Sequence, residues 1–428
     1  MNVQKTNYTI DKVQELQRKL YLSAKKSNNR RFHILYDKVY REDILQRAWK
    51  QVKTNGGSAG VDKVSIEEIE KYGVYKFLEE IKEDLLKGTY NPTPVRRVEI
   101  AKENGKIRPL GIPIVKDRVI QAATKIVIEP IFEADFYDES YGFRPKRNAH
   151  QALESIRKAC NNKGNWVIDA DIKGYFDNIN HDKLIKLIEL RISDKRVIKL
   201  IRKWLKAGVM KDGKLSLTEV GSPQGGVISP LLANIYLNYM DYIWKRNFSK
   251  YGKLIRYADD FVIICKKYED VKIAYKGILY IMKKLELTLS KDKTKVISLW
   301  KGEVGFDFLG YTNRKVKYKT LNGREYYALI QYISNKAKCR IKEKVKVCLA
   351  RNTLNKNIKD KIKELNLKIT GWKNYYNRTP YHKLVQIDKY IVFRFVIWYN
   401  VKRKRRKRED YRNIVNLIRN MGLKYLCY

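Results

Sequence analysis

The sequence has little with which to build a disulfide framework or a zinc site. Across 428 residues there are four histidines and five cysteines. The cysteines (Cys160, Cys265, Cys339, Cys348 and Cys427) form no C-x-x-C pair, and their number is odd. That pattern fits a reducing compartment. Near the start there is no apolar stretch that could serve as a signal peptide. The most apolar late segment, 390–399, carries Arg394 and is too short to span a bilayer. There is also no internal repeat and no linker rich in Pro, Gly or Ser. The expectation is a soluble, cytoplasmic protein.

Negative charge is the other shortage. Ninety-one Lys and Arg face 46 Asp and Glu, giving a formal charge of +45. Such a field suits the phosphate backbone of a nucleic acid. An anionic membrane is the rival partner, but membrane binders concentrate charge on one helix or flank. Here Lys and Arg occur in nearly every block of ten. A hydrophobic content of 44% is that of a folded protein, and the length suits two or three domains.

Periodicity gives the organisation. Residues 46–90 read as helices broken at Asn55-Gly56-Gly57 and Gly73. An alternating run at 98–100, a turn at Asn104-Gly105 and a return at 107–112 read as a hairpin. A helix is expected over about 117–132, a strand over 165–172, and another helix from His181. Residues 221–230 form a Gly/Pro/Ser loop before a helix over 230–244. Two short strands flank Ala258-Asp259-Asp260, a helix follows over 271–285, and a second hairpin turns at Asn322-Gly323. Beyond Ser334 the pattern is helical and basic. Strands mixed with helices, then a helical tail, make an α+β protein with an all-α appendage.

Acid appears where it is costly. Asp171 ends an apolar strand, and Asp259 and Asp260 sit between Leu254-Ile255 and Phe261–Ile264. Carboxylates in such surroundings cost several kcal/mol unless cations or hydrogen bonds compensate. Lys or Arg could supply the compensation. So could two magnesium ions roughly 3.5–4 Å apart, as in phosphoryl transfer. An Asp-Asp pair alone is weak evidence, since such pairs also make ordinary turns.

The stretch Val167-Ile168-Asp169-Ala170-Asp171-Ile172-Lys173-Gly174-Tyr175-Phe176 resembles the first catalytic motif of reverse transcriptases. Arg256-Tyr257-Ala258-Asp259-Asp260 resembles their Y-x-D-D box, and Gly221-Ser222-Pro223-Gln224-Gly225 their S-P-Q-G loop. Residues 107–113 and 140–145 are similar to fingers motifs of the bacterial group II intron branch, and Ile369-Thr370-Gly371-Trp372-Lys373-Asn374-Tyr375-Tyr376 to its maturase, or thumb, region. Motifs occur in the family's order over roughly 50–311.

That resemblance implies a right-hand polymerase: an N-terminal basic extension (1–45), fingers and palm with an antiparallel sheet (46–315), an all-α thumb/maturase domain (316–400) and a basic tail (401–428). It implies an RNA-directed DNA polymerase and maturase, with Asp171, Asp259 and Asp260 holding two magnesium ions, manganese being the alternative. Partners would be an RNA template, including an intron RNA of its own, a DNA or RNA primer and deoxynucleoside triphosphates. Alternatives are a free-standing enzyme of phage defence or DNA repair, or a maturase acting mainly as an RNA-binding splicing factor. The family's frequent C-terminal endonuclease is not expected here.

Other roles follow the same resemblance. Phe176 would be the gate that blocks a ribose 2′-hydroxyl, against a plain core role. Lys106 and Arg108 would hold the triphosphate, against solvated hairpin charges. Gln224 would position the template base or incoming nucleotide. Lys293 would protonate pyrophosphate, with Lys291 and Lys295 as rivals. Phe308, Leu309, Gly310 and Tyr311 would form the primer grip. The run Lys402, Arg403, Lys404, Arg405, Arg406, Lys407 and Arg408 would contact phosphates. The aromatics interleaved with cations in the tail read as core in preference to base-stacking.

Overall fold

In the computed structural model, which describes residues 11–101, 107–211, 214–216, 225–403 and 410–427, the chain divides into two compact units. One comprises Met1–Ala152 and Ile168–Lys295, the other Leu153–Val167 and Val296–Tyr428.

In the first unit, α1 (Lys12–Lys26) starts at Asp11, whose carboxylate accepts from the amides of Val13 and Gln14. Those amides have no partner within the helix. Its buried residues Val13, Leu20 and Ala24 recur at spacings of seven and four, which puts them on one face. Gln17 and Lys25 donate to the carbonyls of Ile126 and Ala134. The stretch read from sequence as a basic extension therefore contributes to this unit's core. Next come α2 (Tyr36–Val39), α3 (Glu42–Asn55), α4 (Ile66–Tyr72) and α5 (Val74–Lys87), with Gly73 between the last two at φ +109. Strands β1 (Val95–Ala101) and β2 (Ile107–Ile112) pair antiparallel as expected, Ile100 opposite Arg108. Helix α6 (Val115–Glu133) is buried along nearly all its length and packs against α1, α2 and α3.

The chain continues through α7 (Ala149–Asn161), β3 (Trp166–Ala170), α8 (His181–Glu189), α9 (Lys195–Lys206), β4 (Val209–Lys211), β5 (Lys214–Ser216) and α10 (Ser229–Ile243) to β6 (Lys253–Tyr257), β7 (Asp260–Cys265) and α11 (Tyr268–Lys284). One sheet has the order β2-β1-β4-β5, with β4 parallel to β1. In another, β7 lies between β6, its antiparallel partner, and β3. Residues Phe261 to Cys265 are all buried. Burial on both faces of β7 is why its sequence is a continuous apolar run with no alternation.

The chain passes through β8 (Lys295–Ser298) into the second unit. There β9 (Gly305–Phe308), β10 (Tyr311–Lys319) and β11 (Glu325–Ile333) form an antiparallel sheet in the order β11-β10-β9. Helices α12 (Asn335–Cys348), α13 (Ile358–Tyr375), α14 (Tyr381–Lys402) and α15 (Tyr411–Asn420) follow. Ile341, Val345, Leu365, Ile369, Ile387, Phe395 and Trp398 lie in one buried cluster of this unit. The change of unit falls at 295, ahead of β9 and β10, which pair with β11 in one sheet. Among the described residues no helix is long and apolar enough to cross a membrane. Helices with antiparallel sheets make the chain α+β, as the sequence implied.

Candidate active site

Asp171 is the first residue beyond β3. Its carbonyl accepts from the Ser290 amide at 2.8 Å, the Lys173 amide donates to Thr288 at 2.9 Å, and Ile172 bridges to Leu289. These contacts fasten the strand end to residues 288–290 and so bring Lys293 to Asp171, with Nζ 2.8 Å from Oδ2. Lys293 is largely exposed, so the ion pair adds only about 0–1 kcal/mol and is easily exchanged.

The other two aspartates come from the junction of β6 and β7. Tyr257 pairs with Asp260, leaving Ala258 and Asp259 as a two-residue turn. Ala258 has φ +58, a position where hairpin turns favour glycine. For a residue with a Cβ this backbone costs about 1–2 kcal/mol. Asp260 is open to solvent at its outer edge. Even so, surrounding protein and the nearby charges of Asp259 and Asp171 push its carboxyl up to about 6, against a weaker pull from Lys293. At Asp260 burial and like charge thus outweigh the pull of Lys293, in a chain of formal charge +45.

Among the described residues, no three His, Cys, Asp or Glu side chains are grouped closely enough to hold an ion by themselves. A divalent cation still fits this donor set. Magnesium takes one or two carboxylates and completes its octahedron with water and phosphate oxygens. Hard oxygen donors whose mutual repulsion already raises a pKa are relieved by such a charge.

Behind the turn lies a buried polar network. Arg256, 1% exposed, donates through Nη1 to the Ala258 carbonyl and to Asn234 Oδ1, each at 2.9 Å, and through Nε to Asp241 at 3.1 Å. Asn234 Nδ2 donates to the Gly142 carbonyl at 2.9 Å. The Arg256 amide donates to Glu139, and the Tyr141 amide to Arg256, each at 2.9 Å. Gly142 lies so close that a Cβ there would meet the Ala258 nitrogen at 2.3 Å. In the sequence Arg256 and Gly142 are legible only as parts of motifs, and Asn234 and Asp241 not at all. The available signal was an arginine inside an apolar strand, which needs a buried partner.

Of the remaining sequence-read residues, Phe176 is half-buried and meets the Tyr175 ring edge-on at 5.3 Å. Tyr175 is buried and donates to the Ala233 carbonyl at 2.6 Å. Arg108 lies in β2 opposite Ile100. Lys106, Gln224 and the run Lys404 to Arg408 lie outside the described residues. Lys402 donates to the Leu354 carbonyl at 2.5 Å, and Arg403 lies over the Tyr399 ring. Among the tail aromatics Phe395 and Trp398 are core, while Phe393 is 52% exposed.

In the second unit, Phe308 pairs with Tyr311 around a turn at Leu309 (φ +50) and Gly310 (φ +78). Tyr375 donates from its hydroxyl to the Leu309 carbonyl at 2.8 Å, and Tyr311 donates to the Tyr375 carbonyl. The Tyr376 ring lies 5.4 Å from that of Tyr311. Two motifs more than sixty residues apart therefore brace one another.

A family model described as reverse transcriptase (RNA-dependent DNA polymerase) matches residues 100–313, and one described as group II intron, maturase-specific domain matches residues 338–415. Protein YkfC of Escherichia coli K12 is 35% identical over 339 residues, covering 70% of this chain and 87% of that protein. Group II intron-encoded protein LtrA of Lactococcus lactis is 34% identical over 368 residues, covering 68% of this chain and 60% of that protein. An uncharacterized 91 kDa protein in the cob intron of Schizosaccharomyces pombe is 39% identical over 231 residues, 51% of this chain.

Proposed function

The chain belongs to the group II intron reverse transcriptases that carry a maturase domain, and from that membership we propose that it is a magnesium-dependent RNA-directed DNA polymerase whose metal-binding carboxylates are Asp171, Asp259 and Asp260. The observation that carries the assignment is geometric: Asp171 follows β3, which lies beside β7 in the sheet, and the Asp259–Asp260 turn opens β7, near enough for the charges of Asp171 and Asp259 to act on Asp260.

Magnesium held by these carboxylates would activate a primer 3′ hydroxyl and offset the charge of departing pyrophosphate. Asp171 and Asp259 are the principal ligands, with Asp260 beside them. Lys293, whose exposed ion pair with Asp171 is weak, would protonate or hold the pyrophosphate. Phe176 closes the space a ribose 2′-hydroxyl would need and so selects deoxynucleotides. Arg108, Lys106 and Gln224 complete nucleotide binding, and Phe308–Tyr311 hold the primer end. Helices α12 to α14 of the second unit supply the thumb of a right-hand polymerase within 316–400, after fingers and palm over 46–315. Template RNA, primer and deoxynucleoside triphosphates are the substrates. The matched maturase domain and the net charge of +45 support binding of intron RNA by the same chain. That binding will weaken steeply with salt as counterions are no longer gained by release.

The test is primer extension on an RNA template with magnesium. Double substitution Asp259→Ala/Asp260→Ala should abolish synthesis and leave RNA affinity within about threefold. Synthesis retained by that variant refutes the carboxylate assignment. RNA binding without any synthesis by the unaltered protein would instead favour a splicing factor.

A further inference from the structure

We propose that Arg256 is a positioning residue for catalysis: its guanidinium, held by Asp241 and Asn234 of α10, grips the Ala258 carbonyl and so keeps the Asp259 carboxylate aimed at the metal site. This rests on the reading that Asp259 binds metal.

Three features carry the inference. First, Arg256 is among the most deeply buried side chains described, although it carries a full charge. Its ion pair with Asp241 is equally buried, with side-chain exposures of 1% and 5%. A buried ion pair is weak evidence of stabilisation, since a well-packed apolar pair does as well. Some other property explains an arginine there. Second, its planar fork reaches three groups at once: the Asp241 carboxylate, Asn234 Oδ1 and the Ala258 carbonyl. Asp241 and Asn234 lie seven residues apart, two turns along one face of α10, so a single rigid helix fixes the fork. Third, the carbonyl it grips belongs to the residue at φ +58, which would otherwise relax toward negative φ and rotate the next residue. The next residue is Asp259.

The grip does not act alone. Asn234 also holds the Gly142 carbonyl, and Gly142 lies against the Ala258 amide. The turn is thus held from α10 and from residues 139–142 together. Lysine cannot replace the fork, because a single ammonium cannot meet a carboxylate, an amide oxygen and a backbone carbonyl in one plane.

The experiment uses the full chain with Arg256→Lys, Asn234→Ala and the double variant Arg256→Lys/Ala258→Gly. Single-nucleotide extension would give kcat, KM for primer–template and the magnesium concentration for half-maximal rate. Arg256→Lys should lower kcat about 10- to 100-fold and raise the magnesium requirement, with KM for primer–template within about twofold. Asn234→Ala should show the same pattern more weakly and keeps the Arg256–Asp241 pair should Arg256→Lys fail to fold. Glycine adopts positive φ freely, so the double variant should recover about tenfold. Manganese binding read by electron paramagnetic resonance provides a measure that needs no polymerisation, and Arg256→Lys should weaken it. Folded variants with unchanged kcat and metal requirement overturn the proposal. So does a loss that merely tracks the folded fraction, or one that Ala258→Gly leaves untouched. Should the unaltered protein bind manganese yet incorporate no nucleotide, the polymerase reading fails while the metal-binding comparison still decides the role of Arg256.

Discussion

Replacing Gly142 by alanine tests how tightly the catalytic turn is seated. Gly142 does not occupy a backbone region reserved for glycine, so the obstacle is space alone. A Cβ would lie 2.3 Å from the Ala258 nitrogen, 2.8 Å from the Tyr257 carbonyl carbon and 3.1 Å from the Ala258 Cα. All three are backbone atoms and cannot rotate away. Separations under 3.0 Å are essentially never seen for a real Cβ, so one side must retreat by about 0.7 Å. Residues 139–141 are tied to Arg256 by two backbone hydrogen bonds, whereas the turn between β6 and β7 is held by the Arg256 side chain on the Ala258 carbonyl, the softer of the two attachments. Most of the displacement therefore falls on Ala258 and Asp259. Misplacement of a reacting group by about 1 Å costs on the order of 100-fold in rate, so Gly142→Ala should lower kcat roughly 10- to 100-fold. Overpacking of this kind also costs about 1–3 kcal/mol in stability, to be read from urea unfolding. The comparison is Gly371→Ala in α13, where a Cβ meets nothing within 4 Å and helix propensity should add about 0.5–1 kcal/mol. A Gly142→Ala protein with kcat within twofold of the unaltered enzyme refutes the seating argument.

Two further outcomes are expected. Phe176→Val should raise incorporation of ribonucleotides relative to deoxynucleotides by at least about tenfold, equivalent to ~1.4 kcal/mol of lost steric discrimination, measured by competition of the two triphosphates; an unchanged ratio would remove Phe176 from the gate. Asp117 concerns stability. It is buried and accepts from the Tyr90 hydroxyl at 2.7 Å and the Thr93 amide at 3.0 Å, and burial raises its carboxyl from 3.8 to about 6. The native state then holds this proton more tightly than the unfolded chain does, so the contribution is present at low pH and is lost as pH rises through about 4 to 6. Relative to Asp117→Asn, which does not titrate, the unaltered protein should lose up to about 3 kcal/mol between pH 4 and pH 7. A stability difference that stays flat with pH contradicts this.

By itself the sequence determined which chemistry is present and the local form of its carriers. The shortage of acid pointed to a nucleic acid partner, and aspartates standing against apolar strands marked the site, because a carboxylate there needs compensation. Helices and hairpins were legible for a similar reason: apolar spacing along 230–244 and 271–285 suits helices, and glycines at 73 and 323 turn the chain through a backbone few other residues adopt. What remained illegible depends on contacts between residues distant in the chain. Nothing near Asp241 announces that it neutralises Arg256. Nothing in Gly142 shows that its missing side chain leaves room for the turn at Ala258, or in Tyr375 that its hydroxyl meets Leu309. Nor could composition show that α1, basic and exposed on most sides, buries Val13, Leu20 and Ala24. Periodicity says that a face is apolar, while only the folded chain decides what covers it. The carboxylates are written in the sequence, and their aim is decided by a buried guanidinium and a glycine brought in from elsewhere.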